Sequence, residues 1–198
     1  MFSLAVAATA FGLIFVGELP DKTAVASLVL GSRYRPAPVL IGVCTAFALH
    51  VVVACALGGL IGQLPHRPIE GVTALLFLVG AVLLFRSNPD EAREEGERNA
   101  DKIEAGGHRR IAFASFGVVL VAEFGDLTQL LTAGLAARYH QPLSVGVGAL
   151  LALWSVAAIA VLAGRSLLRV VPLRRVQQLA AVVLSILAII AALSAIKG

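Results

Sequence analysis

Residues 16–34 read VGELPDKTAVASLVLGSRY, and residues 121–139 read VAEFGDLTQLLTAGLAARY. Aligned at an offset of 105, seven of the 19 positions are identical: Val16/Val121, Glu18/Glu123, Asp21/Asp126, Thr23/Thr128, Leu30/Leu135, Arg33/Arg138 and Tyr34/Tyr139. Several matches fall on polar or aromatic residues, which an apolar composition does not repeat by chance. Pro65-His66-Arg67 is echoed farther on by Pro172-Leu173-Arg174, at an offset of 107. The chain therefore contains two copies of one unit, and each copy carries acids inside an otherwise apolar run.

Working outward, the 198 residues are 59% hydrophobic and 14% charged, with a mean hydropathy of +0.91. A soluble domain cannot hide that much apolar surface, whereas a bundle in lipid has no need to. Apolar runs long enough to cross a bilayer occur at 2–31, 37–63, 69–86, 111–137, 143–164 and 176–196. The first lacks a basic n-region and outlasts a typical h-region, so it reads as a span and not as a cleaved signal. Three segments per copy is an odd number, so the second copy must enter the membrane from the opposite side, as in many secondary transporters. The expected fold is all-α: a polytopic membrane protein of six transmembrane helices, built as two inverted three-helix repeats. Residues 1–86 form the first repeat, 87–110 a charged cytoplasmic linker and 111–198 the second repeat.

The formal charge of +4 reports topology. With alternating spans, the connections after the first, third and fifth helices hold 12 basic residues, from Arg33 and Arg35 through the linker to Arg174 and Arg175. Arg67, Arg138 and Lys197 lie on the other side. The positive-inside rule puts both termini outside and the 86–110 loop in the cytoplasm, consistent with a bacterial plasma membrane. No nucleic-acid partner is implied, and the oligomeric state is left open.

Of the 12 acidic residues, seven lie between Asp90 and Glu104, and Glu70 lies at a helix end. The remaining four are Glu18, Asp21, Glu123 and Asp126. Each would cost about 2.5–3.5 kcal/mol at a helix centre on insertion scales, so something must compensate them. Glu and Asp at i and i+3 share a helical face, and inversion turns the two faces toward each other. Up to four carboxylates around one centre suit a hard divalent cation. Thr23, Thr128 and Gln129 add oxygen donors to the set, and Ser27 and Thr132 follow one turn later. With no His or Cys in either motif, Ca²⁺, Mn²⁺ or Mg²⁺ is favoured over zinc or copper. Pro20 and Gly125 occupy equivalent places between the acids and both weaken a helix. A helix break is expected there, freeing carbonyls as ligands. Lys22 can balance charge by holding a carboxylate when the site is empty. Losing the cation leaves like charges together in a poor dielectric, which favours protonated carboxyls, so cation/proton exchange is the expected mechanism.

The two motifs, Glu18-Leu19-Pro20-Asp21-Lys22-Thr23 and Glu123-Phe124-Gly125-Asp126-Leu127-Thr128, resemble the paired Glu-x-Gly-Asp-Lys/Arg-Thr/Ser signature of the manganese and calcium transporters of Golgi, chloroplast and bacterial membranes, within the cation/calcium exchanger superfamily. The resemblance covers the whole chain. It implies transport of Mn²⁺ and/or Ca²⁺, out of the cytoplasm and against protons, with Glu18, Asp21, Thr23, Glu123, Asp126 and Thr128 as ligands and no bound cofactor or enzymatic activity. Pro20 departs from the signature's Gly, and Leu127 from its basic residue.

Two other readings fit the same length. A six-helix exporter of amino acids or other small solutes leaves four carboxylates unexplained. An intramembrane aspartyl protease would use Asp21 and Asp126 but lacks the Gly-x-Gly-Asp context. Elsewhere, His50 reads first as a packed residue and only second as a proton relay. Cys44 and Cys55 read as buried free thiols, and Trp154, Tyr34 and Tyr139 as packing or interface anchors. Gly58, Gly59, Gly62, Gly146 and Gly148 read as points of close helix contact.

Overall fold

Apolar chain in lipid has to satisfy every backbone group internally, which leaves helices as the available form for segments this long. The computed structural model describes residues 2–19, 22–63, 66–86, 107–170 and 173–197, with Glu91, Glu94, Glu97, Arg98, Ala100 and Asp101 between them. Among the described residues there is no strand. The helices are α1 (Leu4–Glu18), α2 (Lys22–Arg33), α3 (Pro36–Ile61), α4 (His66–Arg86), α5 (His108–Ala122), α6 (Leu127–Tyr139), α7 (Pro142–Val170) and α8 (Leu173–Lys197). Two short helices followed by two long ones thus occur twice. Pro36 opens α3 in its first turn, where a missing N–H leaves no hydrogen bond unmade. Large apolar side chains such as Ile41, Val52, Leu60 and Leu162 point outward, as expected for helices that face lipid instead of water.

Two stretches are long and apolar enough to cross a bilayer as single helices, Pro36–Ile61 and Pro142–Leu162. The pair α5 and α6, bent by 70°, makes a third. The other expected spans are occupied by shorter apolar helices, Leu4–Glu18, Ala24–Arg33, Thr73–Leu83 and Ala181–Leu193. Within the first expected span, 2–31, one helix ends at Glu18 and the next starts at Lys22.

Packing repeats when the halves are exchanged. Helix α1 lies on α7 as α5 lies on α3, α2 lies on α7 as α6 lies on α3, and α4 pairs with α8. The tightest crossings are duplicated too. A Cβ at Gly42 would overlap the Ala112 carbonyl, and one at Gly148 the Ala7 carbonyl. Only a residue without a side chain lets these backbones approach so closely. Gly58, Gly62 and Gly146 also sit at close contacts, whereas a Cβ at Gly59 would meet no other helix nearer than the Pro142 ring, 4.0 Å away.

Contacts between connections fix direction. At one end of the bundle the Ser3 N–H donates to Ser144 Oγ at 2.8 Å, and Gly62 lies against His140. At the other end Tyr34 Oη donates to the Ala100 carbonyl at 3.1 Å. There Arg33 pairs with Asp101, and Arg35 Nη1 lies 3.2 Å from His108 Nε2. The pair α1–α2 therefore runs from the first end to the second, and α5–α6 runs back. Within the linker Ala100 is fully buried, while Glu91, Glu94 and Asp101 are exposed. Trp154 serves packing: its Nε1–H donates to the Cys44 carbonyl at 3.0 Å, joining α7 to α3. Both cysteines are free and half-buried.

Candidate functional site

Both helix pairs break at the acidic motif. Helix α1 ends on Glu18, with the Leu19 N–H still bonded to the Phe15 carbonyl at 3.0 Å. Helix α5 ends at Ala122, and Glu123 caps it through an N–H bond to the Val119 carbonyl at 3.0 Å. Gly125 then takes a φ of +77°, a conformation glycine adopts without a steric penalty. Asp126 is extended, its N–H bonded to the Glu123 carbonyl at 3.2 Å, and α6 starts at Leu127. The C-terminal ends of α1 and α5 carry the negative end of the helix dipole, and each places a glutamate there. Terminal carbonyls, which lack intrahelical partners, join those carboxylates. This arrangement suits a cation.

The acids are buried. Glu18 has no exposed surface and Glu123 is 3% exposed. A buried carboxylate costs several kcal/mol unless it is compensated, and part of the compensation crosses between the halves. Thr128 Oγ1, itself buried, donates to Glu18 Oε2 at 2.7 Å across 110 residues of sequence. Thr132 Oγ1 donates to the Thr128 carbonyl at 2.7 Å, one turn farther along α6. Glu123, Thr128, Gln129 and Thr132 line one small cavity, which α3 closes with Phe47 and His50.

Gln129 uses both ends of its amide. The Gly125 N–H donates to Gln129 Oε1 at 2.8 Å, and Gln129 Nε2 lies 3.2 Å from His50 Nδ1. Phe124 meets the His50 ring edge-on, with centroids 6.3 Å apart. His50 is 5% exposed, and sequence reasoning ranked it low. A lone imidazole in apolar α3 was the only signal available, and its partner lies 79 residues away.

Of the expected donors, Glu123, Thr128 and Gln129 line this cavity, and Glu18 is joined to them through its bond from Thr128. Asp126 stands half-buried at the start of α6. Pro20 and Asp21 lie outside the described residues, as do the side chains of Lys22 and Thr23. Among the described residues no three His, Cys, Asp or Glu side chains converge on one point. Leu127 packs its branched end where a Cβ on Gly80 of α4 would stand, so it serves as a packing residue between α4 and α6.

Paired buried carboxylates at two helix breaks are a cation-handling arrangement, and comparison with known proteins agrees. The sequence pattern of a family described as "Divalent cation/proton antiporter GDT1" matches residues 6–92 and again residues 111–198. The chain belongs to this family. It is a transporter family, which sets aside the protease and the solute exporter.

The chain is 34% identical to "GDT1-like protein sll0615" of Synechocystis over 165 residues, 77% of this chain and 80% of that protein. It is 32% identical to "Protein PAM71, chloroplastic" of Arabidopsis thaliana over 179 residues, 79% of this chain and 48% of that protein. A Vibrio cholerae protein named "Putative manganese exporter" is 30% identical over 145 residues, 71% of this chain and 66% of that protein. The match thus spans about half the length of the Arabidopsis relative. No solved structure matches the chain.

Proposed function

We propose that this chain exchanges Mn²⁺ and/or Ca²⁺ for protons at one site formed where the two broken helix pairs meet. Two inverted three-helix repeats, 1–86 and 111–198, would lie either side of the 87–110 linker. The termini would lie outside a bacterial plasma membrane, with the linker in the cytoplasm. The opposed directions of α1–α2 and α5–α6 and the exchange of pairings between halves support this reading. The observation that carries it is the buried Thr128–Glu18 hydrogen bond, which joins one motif to the other.

Glu18, Asp21, Glu123 and Asp126 are the proposed charged ligands, completed by the hydroxyls of Thr23 and Thr128. Gln129, whose oxygen accepts from the Gly125 N–H, would serve the shell by holding the turn that carries Glu123 and Asp126. Oxygen donors at two helix C-termini favour a hard dication. Proton entry on the carboxylates as the ion leaves would keep buried charge low, and Lys22 would balance what remains. The name of the Vibrio relative supports manganese as cargo.

The test is uptake of ⁵⁴Mn²⁺ and ⁴⁵Ca²⁺ into proteoliposomes under an imposed pH gradient. Glu18→Gln, Asp21→Asn, Glu123→Gln and Asp126→Asn should each reduce the initial rate by about 100-fold or more, given the few kcal/mol attached to a buried charged partner. Normal flux in all four variants would end the site assignment.

A further inference from the structure

Gly125, Gln129 and His50 form a chain of hydrogen bonds whose polarity is fully determined. A backbone N–H can only donate, so the atom of Gln129 facing Gly125 at 2.8 Å is its carbonyl oxygen. The other end of the amide is then the NH₂ group, which can only donate to His50 Nδ1, 3.2 Å away. Nδ1 must therefore accept, which puts the ring proton on Nε2. That Nε2 is buried and has no hydrogen-bond partner among the described residues, while the Phe124 ring, in the turn between α5 and α6, meets the imidazole edge-on at 6.3 Å between centroids. The imidazole on α3 thus addresses the α5–α6 break twice: α6 through Gln129, and the turn before it through Phe124.

The first half lacks every part of this arrangement. At the same offset Gly125 corresponds to Pro20, which has no N–H to donate, and Gln129 corresponds to Ala24, which has no amide. At the offset of 106 that pairs Gly42 with Gly148 in the same helices, His50 corresponds to Val156, a buried side chain with no hydrogen-bonding group. Donor, bridge and acceptor are present together in one half and absent together from the other.

We propose that His50 is a positioning residue for the second acidic motif, latching the α5–α6 break to α3 through Gln129. The proposal rests on the exchange reading above. While the latch is closed, the Gln129 oxygen stays on Gly125, and the turn that carries Glu123 and Asp126 is held in register with Thr128. Loss of the Nδ1 acceptor frees the amide, loosens the turn and weakens cation binding without removing a ligand.

Reconstituted variants distinguish this from simple packing. The Asn oxygen falls near the place of Nδ1 and the Gln oxygen near that of Nε2, so His50→Asn preserves the acceptor and His50→Gln misplaces it. We expect His50→Asn to retain most of the uptake. His50→Gln and Gln129→Leu should raise the KM for ⁵⁴Mn²⁺ by about tenfold, the upper range for one lost hydrogen bond, with maximal rate changed less. The double variant His50→Gln/Gln129→Leu should be no worse than either single one, since both act on one path. Equal behaviour of the Asn and Gln variants, or multiplied effects in the double variant, would overturn the latch. Wild-type vesicles that carry no cation down an imposed gradient would refute the exchange reading itself, whereas active wild type with an unimpaired His50→Gln variant would refute only the latch.

Discussion

Helix α1 ends at Glu18-Leu19-Pro20-Asp21 and helix α5 at Glu123-Phe124-Gly125-Asp126, and the residue between the acids is opposite in character in the two halves. Proline fixes φ and removes a donor. Glycine at 125 takes φ +77° and uses its N–H to hold Gln129. The constraint that proline brings to the first motif is covalent, whereas the second break is held by hydrogen bonds that can be made and unmade. A carrier that alternates its access needs some element with two arrangements. By this comparison the second break is the better suited to move.

Exchanging the two devices is the most severe way to break the comparison. Gly125→Pro cannot reach positive φ and loses the N–H, together worth about 3 kcal/mol or more. We expect cation uptake to fall by at least about 100-fold. The reciprocal Pro20→Gly removes only a constraint and should cost less than about 1 kcal/mol, leaving uptake within several-fold of wild type. Equal losses in the two variants would mean that the breaks are equivalent and that the asymmetry carries no mechanism.

A smaller effect separates two accounts of position 127. By the signature, Leu127 stands where a basic residue belongs, and its loss would make the centre more negative. In the fold its branched end fills the groove at Gly80, so Leu127→Lys should disturb the packing of α4 on α6. We expect a loss of about 1–3 kcal/mol, read as a lower midpoint in detergent thermal unfolding, with little change in the ratio of Mn²⁺ to Ca²⁺ uptake. Unchanged stability with a shifted ion ratio would return the position to the site.

These outcomes also mark how far the sequence could be read. Helix class and the break between α5 and α6 were legible because acids and Gly125 violate an apolar pattern locally. The identity of the buried partners was not. Thr128 reaches Glu18 across 110 residues and Gln129 reaches His50 across 79, and hydropathy holds no information about which helices touch. Gln129 read as an oxygen donor, and nothing in the sequence says that its oxygen accepts from the Gly125 N–H. Leu127 read as a missing charge for the same reason, since Gly80 is an ordinary helical glycine until α6 is laid against it.

The smallest expected effect lies at the ends of the halves, where Tyr34 and Tyr139 are the same residue in the same repeat position. Tyr34 Oη is bonded to the Ala100 carbonyl, and the neighbouring Arg33 pairs with Asp101, so the end of α2 is tied to the linker. The Arg33 guanidinium is pushed higher still by its hydrogen bond to Asp101, so it remains charged at any pH the protein meets, although an exposed pair of this kind contributes little. Tyr34→Phe removes one neutral hydrogen bond, worth about 1 kcal/mol. It should speed proteolytic nicking of the linker by about fivefold while uptake stays near wild type, because the proposed site lies at the breaks and not at this end. Tyr139→Phe, at the far end of the bundle from the linker, should leave nicking unchanged. If Tyr34→Phe instead lowered uptake as Gly125→Pro does, the linker would be coupled to the moving break, and the division between a stiff first half and a latched second half would have to include it.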